Sequence, residues 1–300
     1  MEEGHAKPDE NNRDPLYGMK ALQQTQSTRR KICICVDDYG LHDGINMAAL
    51  DLFRLGRISA VSCLVDGPAW LSGVKALRGV DAQPEMGLHL NFTEHLGQKF
   101  GPQSLPRLVF LAYSHQLDRS ALKRDIQRQL ERFESAMSRA PDFIDGHQHV
   151  HQFPVIREVL FEVLNARFTS DKPWLRSTCA PRNASVLEPF PARFKSWMIE
   201  YLGAAVFGRL AKHHGYPQNS HLLGVYGFDL SEKTYLRHLG KWFNHAVSGD
   251  VLMCHPSLNG AWDDQILAAR NREYRVLTGY SFHTLIQDEG IEIGTLQEPG

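Results

Sequence analysis

The sequence predicts a parallel α/β protein, a distorted, TIM-barrel-like (β/α)7–8 barrel, and three observations carry that prediction. Short apolar runs of β-rich composition alternate with stretches of helical periodicity along most of the chain. Polar and titratable residues recur where the candidate strands end, which is where parallel α/β proteins gather their sites. A length of 300 residues suits a single barrel.

Residues 1–29 are polar and lack sustained periodicity, so they read as a mobile N-terminal arm ahead of one domain spanning 30–300. Lys31 to Val36 is a short apolar strand of the kind covered on both faces, and it runs straight into Asp37-Asp38-Tyr39-Gly40. From Asp43 to Leu55 apolar residues fall at helical spacing, and Gly56 ends the helix. Ile58 to Val65 is a second strand, Pro68 to Arg78 a second helix, and Glu85 to Asn91 a third strand. Phe92 to Leu117 carries Gly97, Gly101, Pro102 and Pro106 without a clear period, and reads as an ordered loop or lid. Strong helix formers return from Asp118 to Arg139, and Pro141 to Gly146 leads into a histidine-rich stretch. Pro154 to Asn165 is helical, Trp174 to Ser177 a short strand, and Phe190 to His214 a long helical region broken near Gly203 and Gly208. Leu222 to Tyr226, a helix from Ser231 to Val247, and Asp250 to Pro256 continue the alternation. A helix from Asp264 to Leu277 and a short strand from Ile291 to Gly294 complete it.

Composition narrows the function classes. With 42% hydrophobic residues, 22% charged residues and a net charge of -1, the chain has no basic face for nucleic acid. No window approaches the roughly 20 apolar residues that span a bilayer, and the N-terminus lacks a basic stretch followed by an apolar one. A soluble, cytoplasmic protein is expected. Its five cysteines show no CxxC pair, so they are expected to be free thiols, not a structural zinc site.

The chemistry centres on Asp145-Gly146-His147-Gln148-His149-Val150-His151, an acid and three histidines in seven residues at a strand end. In an extended segment alternate side chains share a face, so His147, His149 and His151 are expected to project into one cavity. Asp37 and Asp38, His89 and Asn91, Arg176, and His255 stand at other strand ends and converge on the same rim of a barrel. Singly, each has a structural explanation, such as a helix cap at Asp37 or Asp38 or a satisfied core histidine at His89 or His255. Together they suit a divalent metal held by a carboxylate and two imidazoles. Water on such a metal becomes a usable nucleophile near neutral pH. Adjacent carboxylates at 37 and 38 offer one metal ligand and one proton acceptor, and a histidine across the site offers a proton donor. The reaction this suggests is metal-assisted hydrolysis of an amide or ester.

Val36-Asp37-Asp38-Tyr39-Gly40, Gly87-Leu88-His89-Leu90-Asn91, the Asp145 to His151 stretch and Cys254-His255-Pro256 resemble the successive motifs of the YdjC-like carbohydrate deacetylases, a family that includes chito-oligosaccharide and hopanoid-associated deacetylases. The likeness runs over about residues 31–295. It implies a distorted barrel that removes acetyl from an N-acetylated sugar or sugar conjugate with one divalent ion, Zn or Mg first, and Mn, Co or Ni as alternatives. Carried over by position, Asp38, His89 and His147 are the metal ligands, Asp37 the general base and His255 the general acid. His149 and His151 line the site. Asn91 and Tyr39 belong to the same motifs and are expected at the substrate, with a backbone N–H near Tyr39 as a second donor to the oxyanion. Arg176 is placed by its strand end alone, to hold Asp37 ionised or contact substrate. A homodimer is compatible with the family.

Two positions depart from the family pattern. Tyr39 stands where phenylalanine is usual, and Ser257 follows Cys254-His255-Pro256 where glycine is common. Tyr113, Trp174 and Trp262 are candidates for stacking on a sugar. The alternatives are a metal-dependent hydrolase of another amide or ester, and a catalytically silent sugar-binding protein. Neither a base nor a ligand is missing from the motifs, which argues against the silent one.

Overall fold

A computed structural model describes residues 29–80, 82–94, 96, 104–181, 199–260 and 264–296. Of the expected arm only Arg29 falls within them, and Trp262 lies outside the described residues. Strands and helices alternate in the order β1 (Arg30–Tyr39), α1 (Asp43–Arg54), β2 (Ala60–Cys63), α2 (Trp70–Arg78), β3 (Glu85–Leu90), α3 (Leu105–Tyr113), α4 (Arg119–Met137), β4 (Phe143–Gly146), α5 (Ile156–Arg167) and β5 (Trp174–Leu175). They continue as α6 (Ala205–His213), β6 (Leu222–Leu223), α7 (Glu232–His245), β7 (Val251–Cys254), α8 (Leu267–Thr278), α9 (Tyr280–Asp288) and β8 (Ile291–Ile293).

All described strand pairs are parallel, in the spatial order β5-β4-β3-β2-β1-β7-β6, with β8 also on β1. The sheet is a curled half-barrel with helices outside it. Between its end strands runs segment 217–222: Leu175 N donates to Pro217 O at 2.8 Å, and Leu222 N donates to Cys179 O at 2.8 Å.

Strand alternation separates two cores. Ile32, Ile34 and Val36 face the helices, in one cluster with Leu52, Trp70, Leu77 and Phe133. Cys33, Cys35, Ala60, Phe143, Trp174, Val251 and Met253 form a second cluster inside the curl. Phe143 and Trp174 stack there with centroids 4.3 Å apart, a contact worth about 0.5–1.5 kcal/mol beyond its buried area. The Phe143 ring fills the space over Gly87, where a Cβ would lie 2.1 Å from it. The polar residues of the candidate site stand on this apolar floor, with the Arg176 guanidinium 5.9 Å above the Phe143 ring.

Two regions differ from expectation. The stretch read as a loop from Phe92 to Leu117 contains α3, because Pro106 occupies the first turn, where its missing N–H has no partner to lose. Leu105, Leu108 and Ala112 then form an apolar stripe on the core. After Gly279 the chain turns into α9, a helix absent from the expected set, which buries Phe282 and Ile286. The break expected near Gly203 is present as a π turn at Glu200–Ala204 with Gly203 at φ 125°, whereas Gly208 lies inside α6. Residues 182–198, which include the start of the helical region expected from Phe190, lie outside the described residues.

Candidate active site

The site begins with a bulge in β1. Val36 pairs with Val61 but Tyr39 pairs with Cys63, so β1 carries one residue more than β2 over this interval. Strict alternation would send Asp37 inward and Asp38 outward. Asp38 instead sits at φ 67°, in the left-handed region that aspartate tolerates better than most residues, and both carboxylates end up among the inward polar groups.

Asp38 is the hub. Its Oδ1 lies 2.9 Å from His147 Nδ1 and 3.4 Å from His89 Nε2, while its Oδ2 accepts from Arg270 Nη2 at 2.6 Å. Each imidazole has a carboxylate on its far nitrogen. His89 Nδ1 is 2.7 Å from Asp145 Oδ1, which also accepts from Ser62 Oγ at 2.5 Å, and His147 Nε2 is 3.2 Å from Glu94 Oε1. Asn91 holds Glu94 by a turn in which its Oδ1 accepts from the N–H groups of Thr93 and Glu94, and Gln129 on α4 clasps the Asn91 backbone from both sides.

Asp38, His89 and His147 are of the donor types that could hold a divalent metal. One donor atom each from Asp38, His89 and His147 fall within 4.8 Å of one another. The carboxylate behind each imidazole fixes the tautomer that leaves the inner nitrogen free, as metal-binding histidines require. One donor atom each from Asp37, His89 and Asp145 also lie within 4.8 Å of one another, but a cation is already there. Arg176, fully buried, donates to both oxygens of Asp37 at 2.6 and 2.8 Å and pairs with Asp145 Oδ2 at 2.8 Å.

Burial sets the charges. Desolvation alone would push the His89 imidazole down, but Asp145 and Asp38 outweigh it and hold the proton to about 10. His147 is likewise raised against its burial by Asp38 and Glu94. Asp38 and Asp145 are held below the ordinary carboxylate range, despite burial, by Arg270 with His147 and by Arg176 with His89 respectively. The neighbouring carboxylates therefore favour the charged form of both imidazoles. Burial lowers His255 to about 4 and raises Glu273 to about 7. Glu273 accepts the His255 backbone N–H at 2.5 Å and the Tyr226 hydroxyl at 2.6 Å, fixing the turn after β7.

The structure thus brings together Asp37, Asp38, His89, His147 and Arg176, with His255 coupled electrostatically to both aspartates. The other two histidines of the motif do not share a face with His147. After Gly146 the chain is not extended but enters a tight turn, with Gln148 and His149 left-handed at φ 53° and 60°. That reversal sends His151 into the interior, where its Nε2 meets Arg176 O at 3.0 Å and its ring lies edge-on to Phe207. His149 is buried and lowered by desolvation. Tyr39 is buried as well, its hydroxyl donating to Gly73 O at 2.9 Å, and Asn91 shapes the Glu94 turn. Among the stacking candidates, Trp174 belongs to the inner core and Tyr113 is exposed on α3.

Sequence reasoning gave no role to Asp145, Ser62, Glu94, Arg270 or Glu273. Strand parity offered a signal for the first two: Ser62 aligns with Gly87, and His89 with Asp145, in adjacent ladders. Arg270 and Glu273 come from a helix whose sequence carries no such marker.

Known proteins resemble this chain along most of its length. The sequence profile described as YdjC-like protein matches residues 31–288. A human carbohydrate deacetylase is 26% identical, with 90% of this chain and 91% of that protein aligned. A chitooligosaccharide deacetylase from Yersinia pestis is 24% identical over 88% of this chain and 97% of its own length. Among solved structures, a candidate cellobiose-phosphate cleavage protein from Enterococcus faecalis shares the fold with a TM-score of 0.65 at 17% identity, covering 89% of this chain and 97% of that one.

Proposed function

The chain belongs to the YdjC-like family, and from that membership and the geometry of the site we propose that it is a metal-dependent carbohydrate deacetylase that hydrolyses the acetamide of an N-acetylated sugar or sugar conjugate. The observation that carries the reading is the pair of carboxylate-backed imidazoles, His89 on Asp145 and His147 on Glu94, converging on one oxygen of Asp38. The names of the human and Yersinia relatives support the substrate class.

Asp38, His89 and His147 would hold one divalent ion, Zn or Mg first and Mn, Co or Ni as alternatives. When bound, it supplies Lewis acidity toward the acyl oxygen and makes water a better acid. Everything else falls to the protein. Asp37 accepts the proton of the attacking water, and the two Arg176 donors fix both its oxygens so that it cannot turn away. His255 is kept neutral at rest by burial, while Asp37 and Asp38 favour its charged form. It takes up the proton released in the site and hands it to the departing amine nitrogen. His149, His151, Tyr39 and Asn91 act behind the reacting groups, shaping the turns that present them.

The test is acetate release from N-acetylglucosamine oligomers by protein stripped of metal and then titrated with Zn, Mg, Mn, Co and Ni. Release that requires metal, and is lost in Asp37→Asn and His147→Ala, is the expected result. Tight metal binding without release from any acetylated sugar would overturn the deacetylase reading.

A further inference from the structure

Arg270 has no place in the reading above, yet it touches the hub of the site. It stands on α8, is 3% exposed, and directs Nη2 to Asp38 Oδ2 at 2.6 Å and Nε toward Asp264 Oδ2 at 2.7 Å. Asp264 is itself anchored, accepting from the Ile266 backbone N–H at 3.0 Å and lying 3.3 Å from His42 Nε2. The Arg270 carbonyl accepts from Ser257 N, two residues beyond His255, at 3.2 Å. The guanidinium is therefore paired with two carboxylates, by a hydrogen bond to Asp38 and an ion pair with Asp264, inside a buried setting.

The two oxygens of Asp38 thus face different worlds. Oδ1 looks toward His89 Nε2 and His147 Nδ1, and Oδ2 looks away, into Arg270. A carboxylate can bind a metal through one oxygen or chelate it through both, and chelation consumes a coordination position that hydrolysis needs for water or substrate oxygen. We propose that Arg270 is a positioning residue that restricts Asp38 to a single ligating oxygen and so keeps coordination positions open for the reaction. The inference rests on the assignment of Asp38, His89 and His147 as metal ligands. It explains why an arginine is used here: a planar fork bridges Asp38 and Asp264 at once, and its charge satisfies the oxygen the metal must not take.

Cobalt substitution reads coordination directly, because four- and five-coordinate Co²⁺ absorbs visible light much more strongly than six-coordinate Co²⁺. Metal-free wild type, Arg270→Ala, Arg270→Lys and His89→Ala would be titrated with Co²⁺ alone, and the spectra compared before any substrate is added. In Arg270→Ala, released Oδ2 joins the ion and the visible bands weaken and shift. In the same variant kcat falls by about 10–100-fold, while KM stays within about threefold. Arg270→Lys, which keeps one charged donor, restores part of the wild-type spectrum and rate. If Arg270→Ala does not fold, Arg270→Gln and Arg270→Lys give the same comparison. A Co²⁺ spectrum identical to wild type in a folded Arg270→Ala or Arg270→Gln variant overturns the inference, whatever the activity. The ligand assignment fails separately, and takes the inference with it, if wild type binds no Co²⁺ or if His89→Ala binds it with the wild-type spectrum.

Discussion

Replacing Asp145 with asparagine keeps the shape of the residue under the site and removes its charge. Asp145 is fully buried and holds His89 Nδ1 at 2.7 Å, Ser62 Oγ at 2.5 Å and Arg176 Nη2 at 2.8 Å. An amide can still accept from Ser62, but it no longer neutralises Arg176 or the His89 imidazolium. Arg176 keeps Asp37, so the loss is that of part of a buried ion network, about 3 kcal/mol at neutral pH. The second effect is on tautomer. An amide N–H turned toward His89 Nδ1 drives the ring proton to Nε2, the nitrogen that faces Asp38, and metal affinity falls by about 10–100-fold. Urea denaturation of the metal-free proteins measures the first effect, and competition with a chromophoric chelator measures the second. The sign with pH is also set. Because the folded protein holds Asp145 below its ordinary 3.8, its contribution is complete above that pH and disappears as the pH falls through the folded value, so the gap between wild type and variant closes in acid. Equal stability at neutral pH, within about 0.5 kcal/mol, together with unchanged metal affinity, would refute both the ion network and the carboxylate–imidazole relay.

Other perturbations test separate parts of the argument. The His89 proton, raised from 6.5 to about 10, stabilises the metal-free protein below 6.5 and is lost as pH rises through 10. Metal-free protein should therefore weaken by on the order of 5 kcal/mol across that window, while the metal-loaded protein should not, as denaturation at both ends would show. Glu273, raised from 4.5 to about 7, contributes below 4.5 and loses that contribution through 7. Comparing wild type with Glu273→Gln should show the difference fall by on the order of 3 kcal/mol over that range; His255 runs the opposite way and is common to both proteins. Gly87→Ala forces a methyl against Phe143, where the nearest ring atom would lie at 2.1 Å, and should cost about 1–3 kcal/mol. Phe143→Leu in the same protein should recover part of that loss in thermal denaturation.

How much of this was legible in the sequence depends on the distance over which each feature is determined. The strands carrying Asp37, His89, Asp145 and His255 were visible because an apolar run ending in a titratable residue is a local pattern, and the parallel ladder then lines up their ends. The helix α3 was hidden by Pro106, which breaks helices in their middles and not in their first turns. Glu94 and Arg270 were hidden for a different reason. One closes the Asx turn of Asn91 and the other lies in the first turn of a helix distant in sequence, so only the packed fold brings them to His147 and Asp38.

The histidine motif shows where local reasoning gives out. Alternation in an extended strand is the cheapest conformation, and it placed three histidines on one face. The protein adopts left-handed backbone at Gln148 and His149 instead, and again at Asp38, with Val155 at φ 65° closing the same segment. Such conformations cost of order 1–3 kcal/mol each, and four of the eight non-glycine residues described with positive φ lie in the two segments that build the site. The strain has a geometric return. Without the bulge, Asp38 would face the helices, and the turn is what carries His151 to the Arg176 carbonyl. Rules that follow the preferred backbone therefore succeed along the strands and fail at their ends, where the ligands have to converge.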